Sequence, residues 1–299
     1  MAAEQTLLPA ASVAAAPRRG NGGDSHGLTA LMLGPAIVYI LAFFAYPLGV
    51  TFLSSLETDA GVGPTLTQYQ FILTSEKYLG ALGLTAGLAV GTTILSVLLA
   101  VPLALILRQR MRGHRFIRLL ILTPLMVLAL ISALGLLIIW DKNGWLNRLF
   151  SHLAPSGGPL SIDYTVPGLL LFYTWLYAPY TILTTLSAVE GLDTNVEEAA
   201  RVAGARPWQV FRSVTFPLSW PGIRSGSILT FLLAFGAFNV PIIAGGDLRP
   251  LAVVIYTEAS TFQHFARGSA LAMVMAVVSL VVITVYLRLS GTPARRSRT

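Results

Sequence analysis

Residues 78 to 107 read YLGALGLTAGLAVGTTILSVLLAVPLALIL, a stretch of 30 residues without a charged side chain. An α-helix needs roughly 20 apolar residues to cross the hydrocarbon core of a membrane. The stretch therefore predicts a membrane-spanning helix, with length to spare for a tilt or an interfacial turn.

Five more charge-free intervals lie on either side of this one: 25–56, 119–140, 164–189, 225–246 and 268–287. Only 11% of the 299 residues are charged, against roughly a quarter in a soluble domain. Six such intervals leave too few polar residues to cover a water-soluble core. We therefore expect an all-α, polytopic membrane protein with six transmembrane helices.

The basic residues fall mainly on one side of this predicted bundle. Alternate segments between the spans hold 15 of the 20 Lys and Arg: Arg18, Arg19, Arg108, Arg110, Arg112, Arg115, Arg118, Arg201, Arg206, Arg212, Arg224, Arg288, Arg295, Arg296 and Arg298. Basic residues concentrate in cytoplasmic segments, so both termini are predicted to be cytoplasmic. The same bias accounts for the net charge of +7 through contact with lipid, and no nucleic-acid partner is expected.

The predicted organisation is a single membrane domain with two tails. Residues 1–27 are expected to be a disordered cytoplasmic tail, 28–289 the six-helix domain and 290–299 a basic cytoplasmic tail. In the first tail Arg18 and Arg19 follow an apolar patch, the reverse of the order in a cleaved signal peptide. The longest cytoplasmic segment is the loop 190–224.

The composition argues against catalysis by this chain. It has no cysteine, and its four histidines, His26, His114, His152 and His264, show no metal-ligand spacing. No carboxylate pair or nucleophile motif accompanies them, and no Gly-x-x-x-x-Gly-Lys-Ser/Thr phosphate-binding loop is present. We expect no catalytic residue, no metal site and no cofactor bound by the chain itself.

The loop between the fourth and fifth predicted spans has the signals of two short helices. Thr194 and Glu197 have the spacing of a capping box, which predicts a helix that begins there and stops near Gly204. Pro207 suits the first turn of a second helix. Pro217 is expected to end that helix.

The same loop resembles a known family. Glu198-Ala199-Ala200, followed by Gly204 and then by Val214-Thr215-Phe216-Pro217, is similar to the "EAA" loop of permease subunits in binding-protein-dependent ABC importers. The family usually has Ile and Leu where this chain has Val214 and Phe216, and both changes keep the positions apolar. The resemblance extends over roughly residues 28–289.

This resemblance implies a type I ABC importer permease-like fold in the bacterial cytoplasmic (inner) membrane. It further implies that the chain forms half of a translocation pathway and that its loop couples to a cytoplasmic ABC ATPase dimer, which uses ATP and Mg. A second six-helix permease, a different chain in preference to a second copy, and an extracytoplasmic solute-binding protein would complete the complex. The expected ATPase-coupling residues are Glu197, Glu198, Ala199, Ala200, Gly204, Pro207 and Pro217.

The sequence identifies the residues of the solute pathway less directly than it identifies the loop. Aromatic and small hydroxylated residues in membrane spans also lie at membrane interfaces and mediate helix packing. The candidate pathway residues are Tyr173, Trp175, Tyr177, Tyr180, Ser227, Thr230 and Asn239. The segment 235–246, FGAFNVPIIAGG, resembles permeases of the polyamine, ferric-iron and phosphonate group. A polyamine, a phosphonate or an iron complex is therefore the favoured solute, with a sugar or glycerophosphodiester as the alternative.

Three other classes compete with the importer permease. An ATP-independent secondary carrier would show charges inside its spans or interrupted helices in two matching halves, and neither is visible. A channel would have no need of a docking loop, and a membrane-embedded enzyme would need the catalytic groups that are missing. The sequence favours the permease over all three.

Overall fold

The computed structural model describes residues 25–58, 63–109, 113–153 and 162–290. The predicted tails 1–27 and 290–299 lie outside these residues, apart from 25–27 and 290, which belong to helices. The chain divides after Val50 into two compact units, which are described separately.

The described part of the first unit is helical. It contains α1 (Ser25–Ile40), a π turn (Leu41–Ala45) and the beginning of α2 (Tyr46–Ser55). The π turn immediately precedes Tyr46 and Pro47, and the Tyr46 N–H donates to the Leu41 carbonyl. Because proline lacks an N–H and its ring crowds the preceding turn, a widened turn at this point lets the helix continue.

The described residues of the second unit are mainly helical. Its first helices are α3 (Thr67–Thr74), α4 (Glu76–Arg108), α5 (His114–Met126), α6 (Ala129–Trp140), α7 (Trp145–Leu153) and α8 (Val166–Glu190). They are followed by α9 (Thr194–Val202), α10 (Pro207–Val210), α11 (Phe216–Phe235), α12 (Asn239–Ala244), α13 (Leu251–Tyr256) and α14 (Phe265–Ser290). Further π turns occupy Phe211–Thr215 and Thr257–Thr261.

Five helices among the described residues have the length and composition to cross a membrane: Leu33–Ser55, Glu76–Arg108, Ala129–His152, Val166–Glu190 and Phe265–Arg288. The predicted interval 119–140 is divided between α5 and α6, because Val127 and Leu128 both have extended backbone with ψ of 133°. The predicted interval 225–246 is divided between α11 and α12 at Gly236. The six-span count stays a prediction.

The core of the second unit lies where α4, α8 and α11 pack together. Leu88, Phe172 and Phe235, one from each helix, are each 1% exposed. Glycines allow α11 to approach α8 closely: a Cβ added at Gly226 would lie 2.6 Å from the Thr181 Cα. Small residues at such crossings are the usual means of helix association in membranes, where burial from water contributes little.

A buried carboxylate ties helix ends together at the beginning of α4. Glu258, in the last π turn, is 2% exposed. Its Oε1 accepts hydrogen bonds from Lys77 Nζ and the Tyr78 hydroxyl, both at 2.8 Å. Its Oε2 lies 3.2 Å from His264 Nδ1 and 3.7 Å from Arg267 Nη1.

The Glu258 cluster also fixes the charge of this carboxylate. Burial alone raises the pKa of Glu258, but hydrogen bonds from Lys77, His264 and Tyr78 outweigh it and lower the pKa to about 2. Arg267 extends the cluster to α3 through a 3.2 Å hydrogen bond from Nε to Gln68 Oε1. Glu258 therefore connects the beginnings of α4 and α14 to the turn between α13 and α14.

We predict that Glu258→Gln lowers the thermal stability of the detergent-purified protein at neutral pH by roughly 1–3 kcal/mol, because an amide cannot replace a hydrogen-bonded carboxylate. The folded-state pKa of about 2 lies below the ordinary 4.5. The stabilisation is therefore complete above the ordinary pKa and is lost as the pH falls toward the folded-state pKa. The stability difference between the two proteins should shrink across that acidic range, and a difference independent of pH would contradict the prediction.

We also predict that Gly226→Val destabilises the protein by roughly 1–3 kcal/mol, because the added side chain would force α8 and α11 apart. The matched control is Gly83→Val in α4, where a Cβ would meet nothing within 4 Å. Thermal unfolding in the same detergent compares the two variants. Equal losses would show that helix propensity, and not the close approach, sets the cost.

Candidate functional site

The loop between α8 and α11 begins with a capped helix. Asp193 is the N-cap of α9, and its Oδ1 accepts a 2.9 Å hydrogen bond from the Asn195 N–H. The predicted capping box of Thr194 and Glu197 is therefore wrong. An aspartate one residue earlier already provides the cap, which places Thr194 inside the helix and leaves Glu197 available for other contacts.

The other end of α9 confirms the predicted stop at Gly204. Gly204 has a φ of +85°, in the left-handed region that favours glycine. Its N–H donates to the Arg201 carbonyl at 2.9 Å, and the Ala205 N–H donates to the Ala200 carbonyl at 3.1 Å. These two bonds form a Schellman motif, which ends the helix and turns the chain sharply.

Glu197 is the buried centre of the loop. It is 6% exposed, and its Oε1 accepts hydrogen bonds from Arg108 Nη1 at 2.7 Å and from Thr215 Oγ1 at 2.6 Å. The exposed Arg201 approaches its Oε2 at 3.9 Å. One carboxylate thus joins α9 to the end of α4 and to the π turn before α11.

The contacts of Glu197 keep it ionised. Burial alone raises its pKa, but hydrogen bonds from Thr215 and Arg108, together with the positive charge of Arg108, outweigh burial and lower the pKa. Arg108 is itself largely buried, with 18% of its side chain exposed. Each charge of this pair therefore depends on the other for compensation in a partly dehydrated site.

The second arm of the loop is one end of a long helix. Pro207 occupies the first turn of α10, as predicted, and the Arg206 N–H donates to Gln209 Oε1 at 2.7 Å. The prediction that Pro217 ends this helix is wrong. The π turn Phe211–Thr215 widens the helix just before the proline, and the chain continues without a break into α11.

Aromatic rings line this continuous helix. Successive ring centroids of Trp208, Phe211, Phe216 and Trp220 lie 5.3, 5.9 and 5.5 Å apart. Ring pairs at these separations attract each other beyond the effect of their buried area. The row therefore stiffens the arm along the π turn, where the regular hydrogen-bond ladder is interrupted.

Two large apolar side chains of the loop are exposed. Val202 is 90% exposed and Trp208 is 65% exposed. Glu198, Ala199 and Gly204 are also exposed, and Ala200 is half-buried. The loop therefore combines an anchored inner side with an exposed outer side that includes small and apolar residues.

The structure brings together only some of the candidate pathway residues. Tyr173 is buried in the core with its ring 5.7 Å from that of Tyr177. Thr230 is also buried, where it lies 2.7 Å from Thr181 Oγ1 and donates to the Tyr177 carbonyl at 3.0 Å.

The other candidates are dispersed. The buried Ser227 hydroxyl donates to the Ile223 carbonyl within its own helix. Tyr180 is half-buried, whereas Trp175 and Asn239 are exposed. The described side chains thus form no single lined channel, and a pathway role for these seven residues stays a prediction.

Sequence reasoning identified Glu197 as a loop residue but missed Arg108, which lies 89 positions earlier. No local pattern in the sequence relates the two. Thr215 lay within the stretch that resembles the family but was assigned no role, and its position two residues before Pro217 gave no indication of its partner.

Comparisons with known proteins relate this chain to a family of transport components. The family described as "Binding-protein-dependent transport system inner membrane component" matches residues 95–292, which include α9 and all the contacts of Glu197. The molybdenum transport system permease protein ModB of Mycobacterium tuberculosis is 31% identical over 245 residues, covering 80% of this chain and 90% of the relative. The spermidine/putrescine transport system permease protein PotB of Escherichia coli is 28% identical over 228 residues, covering 76% of this chain and 82% of the relative.

A solved structure supports the fold. A chain of a bacterial alginate ABC transporter, crystallised in complex with an alginate pentasaccharide-bound periplasmic protein, matches with a TM-score of 0.77 at 19% identity. The match covers 92% of this chain and 97% of the other. With the apolar helices and the family match, it shows that this chain is a multi-pass membrane protein of the binding-protein-dependent transport family: a non-catalytic ABC importer permease subunit with the type I fold.

Proposed function

We propose that this chain forms one half of a solute pathway and that α9 docks on a cytoplasmic ABC ATPase dimer. The observation that carries the proposal is the arrangement of the loop. Glu197 fixes its inner side to two long helices, while Val202 and Trp208 remain exposed on its outer side. Exposed apolar surface of this kind marks a site of protein association.

The proposed route of coupling has two branches that start at α9. One passes from Glu197 to Arg108 and so to the end of α4. The other passes from Glu197 to Thr215 and so to α11, with which the second arm is continuous. Closure of the ATPase dimer on ATP and Mg would displace α9, and both helices would follow because their contacts are short and buried.

The proposed orientation places the loop and both termini on the cytoplasmic side of a bacterial inner membrane. It is supported by the distribution of 15 of 20 basic residues. A second six-helix permease, a different chain in preference to a copy, would complete the pathway. A solute-binding protein would deliver the solute on the opposite side.

For the solute we propose a small polar molecule of the polyamine, phosphonate or iron-complex class. The similarity to PotB, whose name specifies spermidine and putrescine, supports a polyamine. An oxyanion is a second candidate, because the similar ModB is named for molybdenum transport. In the candidate spans the carboxylates are Glu76 and Glu190, each at a span end, and Asp141, which directly follows α6.

The experiment that tests the function is reconstitution of the complete complex in proteoliposomes, with its ATPase and binding protein co-purified from the native membrane. Uptake of labelled putrescine and of labelled molybdate is measured with and without internal ATP. Uptake that requires ATP supports the importer, and the labelled compound identifies the solute class. The proposal would be contradicted if the intact chain were purified reproducibly from its native membrane and no ATPase accompanied it.

We predict that Glu197→Gln reduces ATP-dependent uptake by about tenfold or more, because a guanidinium left unpaired in a buried site costs roughly 3–5 kcal/mol. The double variant Arg108→Gln/Glu197→Gln should recover part of the uptake, since it leaves no unpaired charge. Arg201→Gln is the matched control, because Arg201 approaches the same carboxylate but is 58% exposed. The proposed anchor would be contradicted if the double variant lost more uptake than the two single variants combined. It would also be contradicted if Arg201→Gln lost as much uptake as Glu197→Gln.

We predict that Gly204→Val impairs uptake more than Gly204→Asn, although a Cβ at this position would meet nothing within 4 Å. The difference arises from the backbone, because asparagine tolerates positive φ far better than a β-branched residue does. Both variants should still insert in the membrane. Uptake by Gly204→Val at the unaltered level would remove the loop turn from the coupling mechanism.

A further inference from the structure

A cavity of about 690 Å³ opens beside the coupling loop, between the end of α4, the beginning of α5 and the end of α8. Its polar lining consists of Arg108, His114, Arg115, Arg118, Glu190 and Thr194. The proposed coupling mechanism assigns no role to four of them: His114, Arg115, Arg118 and Glu190.

The charge in this cavity is unbalanced. Three guanidinium groups face one carboxylate, that of Glu190. Arg108 already engages Glu197 through Nη1. Within the described part of the chain, Arg115 and Arg118 make no ion pair. With Arg108 counted against Glu197 and Glu190 counted against one of the other two arginines, the cavity has an excess of one positive charge.

The surface beside the cavity is strongly apolar. On α5, Phe116 is 71% exposed, Leu119 is 61% exposed and Leu120 is 53% exposed. Residues three and four apart share a helix face, so these side chains form an apolar strip next to the face of Arg115 and Arg118. A basic cavity next to an apolar strip matches the chemistry of a phospholipid, which has an anionic phosphate and acyl chains.

We propose that this cavity binds the phosphate oxyanion of an anionic phospholipid, with the acyl chains along Phe116, Leu119 and Leu120. Basic pockets between helices at the cytoplasmic membrane surface are suited to such headgroups, and guanidinium groups form paired hydrogen bonds with phosphate oxygens. The inference uses the proposed orientation of the chain, because it places the cavity at the cytoplasmic leaflet. A free phosphate offers the same oxyanion but leaves the apolar strip uncovered.

A lipid in this cavity would lie next to the coupling loop. Arg108 lines the cavity and also donates from Nη1 to Glu197. Thr194, the first residue of α9, lines the same cavity. The phosphate would therefore sit within reach of Arg108, which holds Glu197, and of the first residue of α9.

The test is native mass spectrometry of the intact complex, purified from its own membrane and exchanged into nanodiscs that contain phosphatidylglycerol, cardiolipin or only phosphatidylcholine. We expect selective retention of the anionic lipids, reduced roughly thirtyfold in Arg115→Gln/Arg118→Gln. Arg115→Lys/Arg118→Lys should restore part of the retention, because it restores the charge. Arg288→Gln is the matched control, since Arg288 is exposed at the end of α14 outside the cavity.

Circular dichroism and thermal unfolding verify that each variant is folded. Retention that is unchanged in the double Gln variant, or equally reduced in Arg288→Gln, would overturn the proposal. Inorganic phosphate is added to the delipidated complex as a separate arm. Phosphate binding that depends on Arg115 and Arg118 without selective lipid retention would overturn the lipid assignment. Lipid retention is read without any transport assay, so this result is independent of whether uptake is driven by ATP.

Discussion

The structure of the loop between α8 and α11 depends on one buried ion pair, between Glu197 and Arg108. Without the pair, Glu197 would keep the hydrogen bond from Thr215 but would lose its link to α4. With it, the carboxylate meets Arg108 at 2.7 Å and Thr215 at 2.6 Å, so α9, α4 and the beginning of α11 share one hydrogen-bonded centre. A buried pair of this kind contributes little net stability, but it strongly disfavours any arrangement in which one member is left alone. The pair therefore holds α9 in one arrangement relative to α4.

A second buried carboxylate, outside α4, binds the other end of that helix. Glu258 binds Lys77 and Tyr78 at the first turn of α4, and Glu197 binds Arg108 at its last turn. The two sites are separated by a helix of 33 residues, or roughly 50 Å. Both carboxylates lie outside α4 and both hold it through charged hydrogen bonds. The two ends of α4 are thus fixed to different parts of the chain, and α8 and α11 pack along its length between them.

Much of this fold could be predicted from the sequence, because its main constraint is the exclusion of charge from apolar helices. The intervals 78–107, 164–189 and 268–287 correspond closely to α4, α8 and α14. The breaks at Val127 and Gly236 could not be predicted, since no charge marks them. The end of α9 at Gly204 could be predicted, because it depends only on the local backbone. The partnership of Glu197 and Arg108 could not, because it depends on how distant helices pack.

Pro217 is the clearest case in which a sound local rule gave the wrong structure. A proline ends an ordinary helix, but here a widened turn of five residues precedes it and the helix continues. A π turn is equivalent to one residue inserted into an α-helix, and each residue of an α-helix turns the chain by about 100°. The extra residue in Phe211–Thr215 therefore sets the rotational phase between α11 in the membrane and Pro207 and Trp208 in the loop. Loss of a single residue there would leave every helix intact yet turn the exposed face of the loop by more than a quarter of a revolution, so the spacing that the family shares between its glycine and its proline fixes a direction as well as a length.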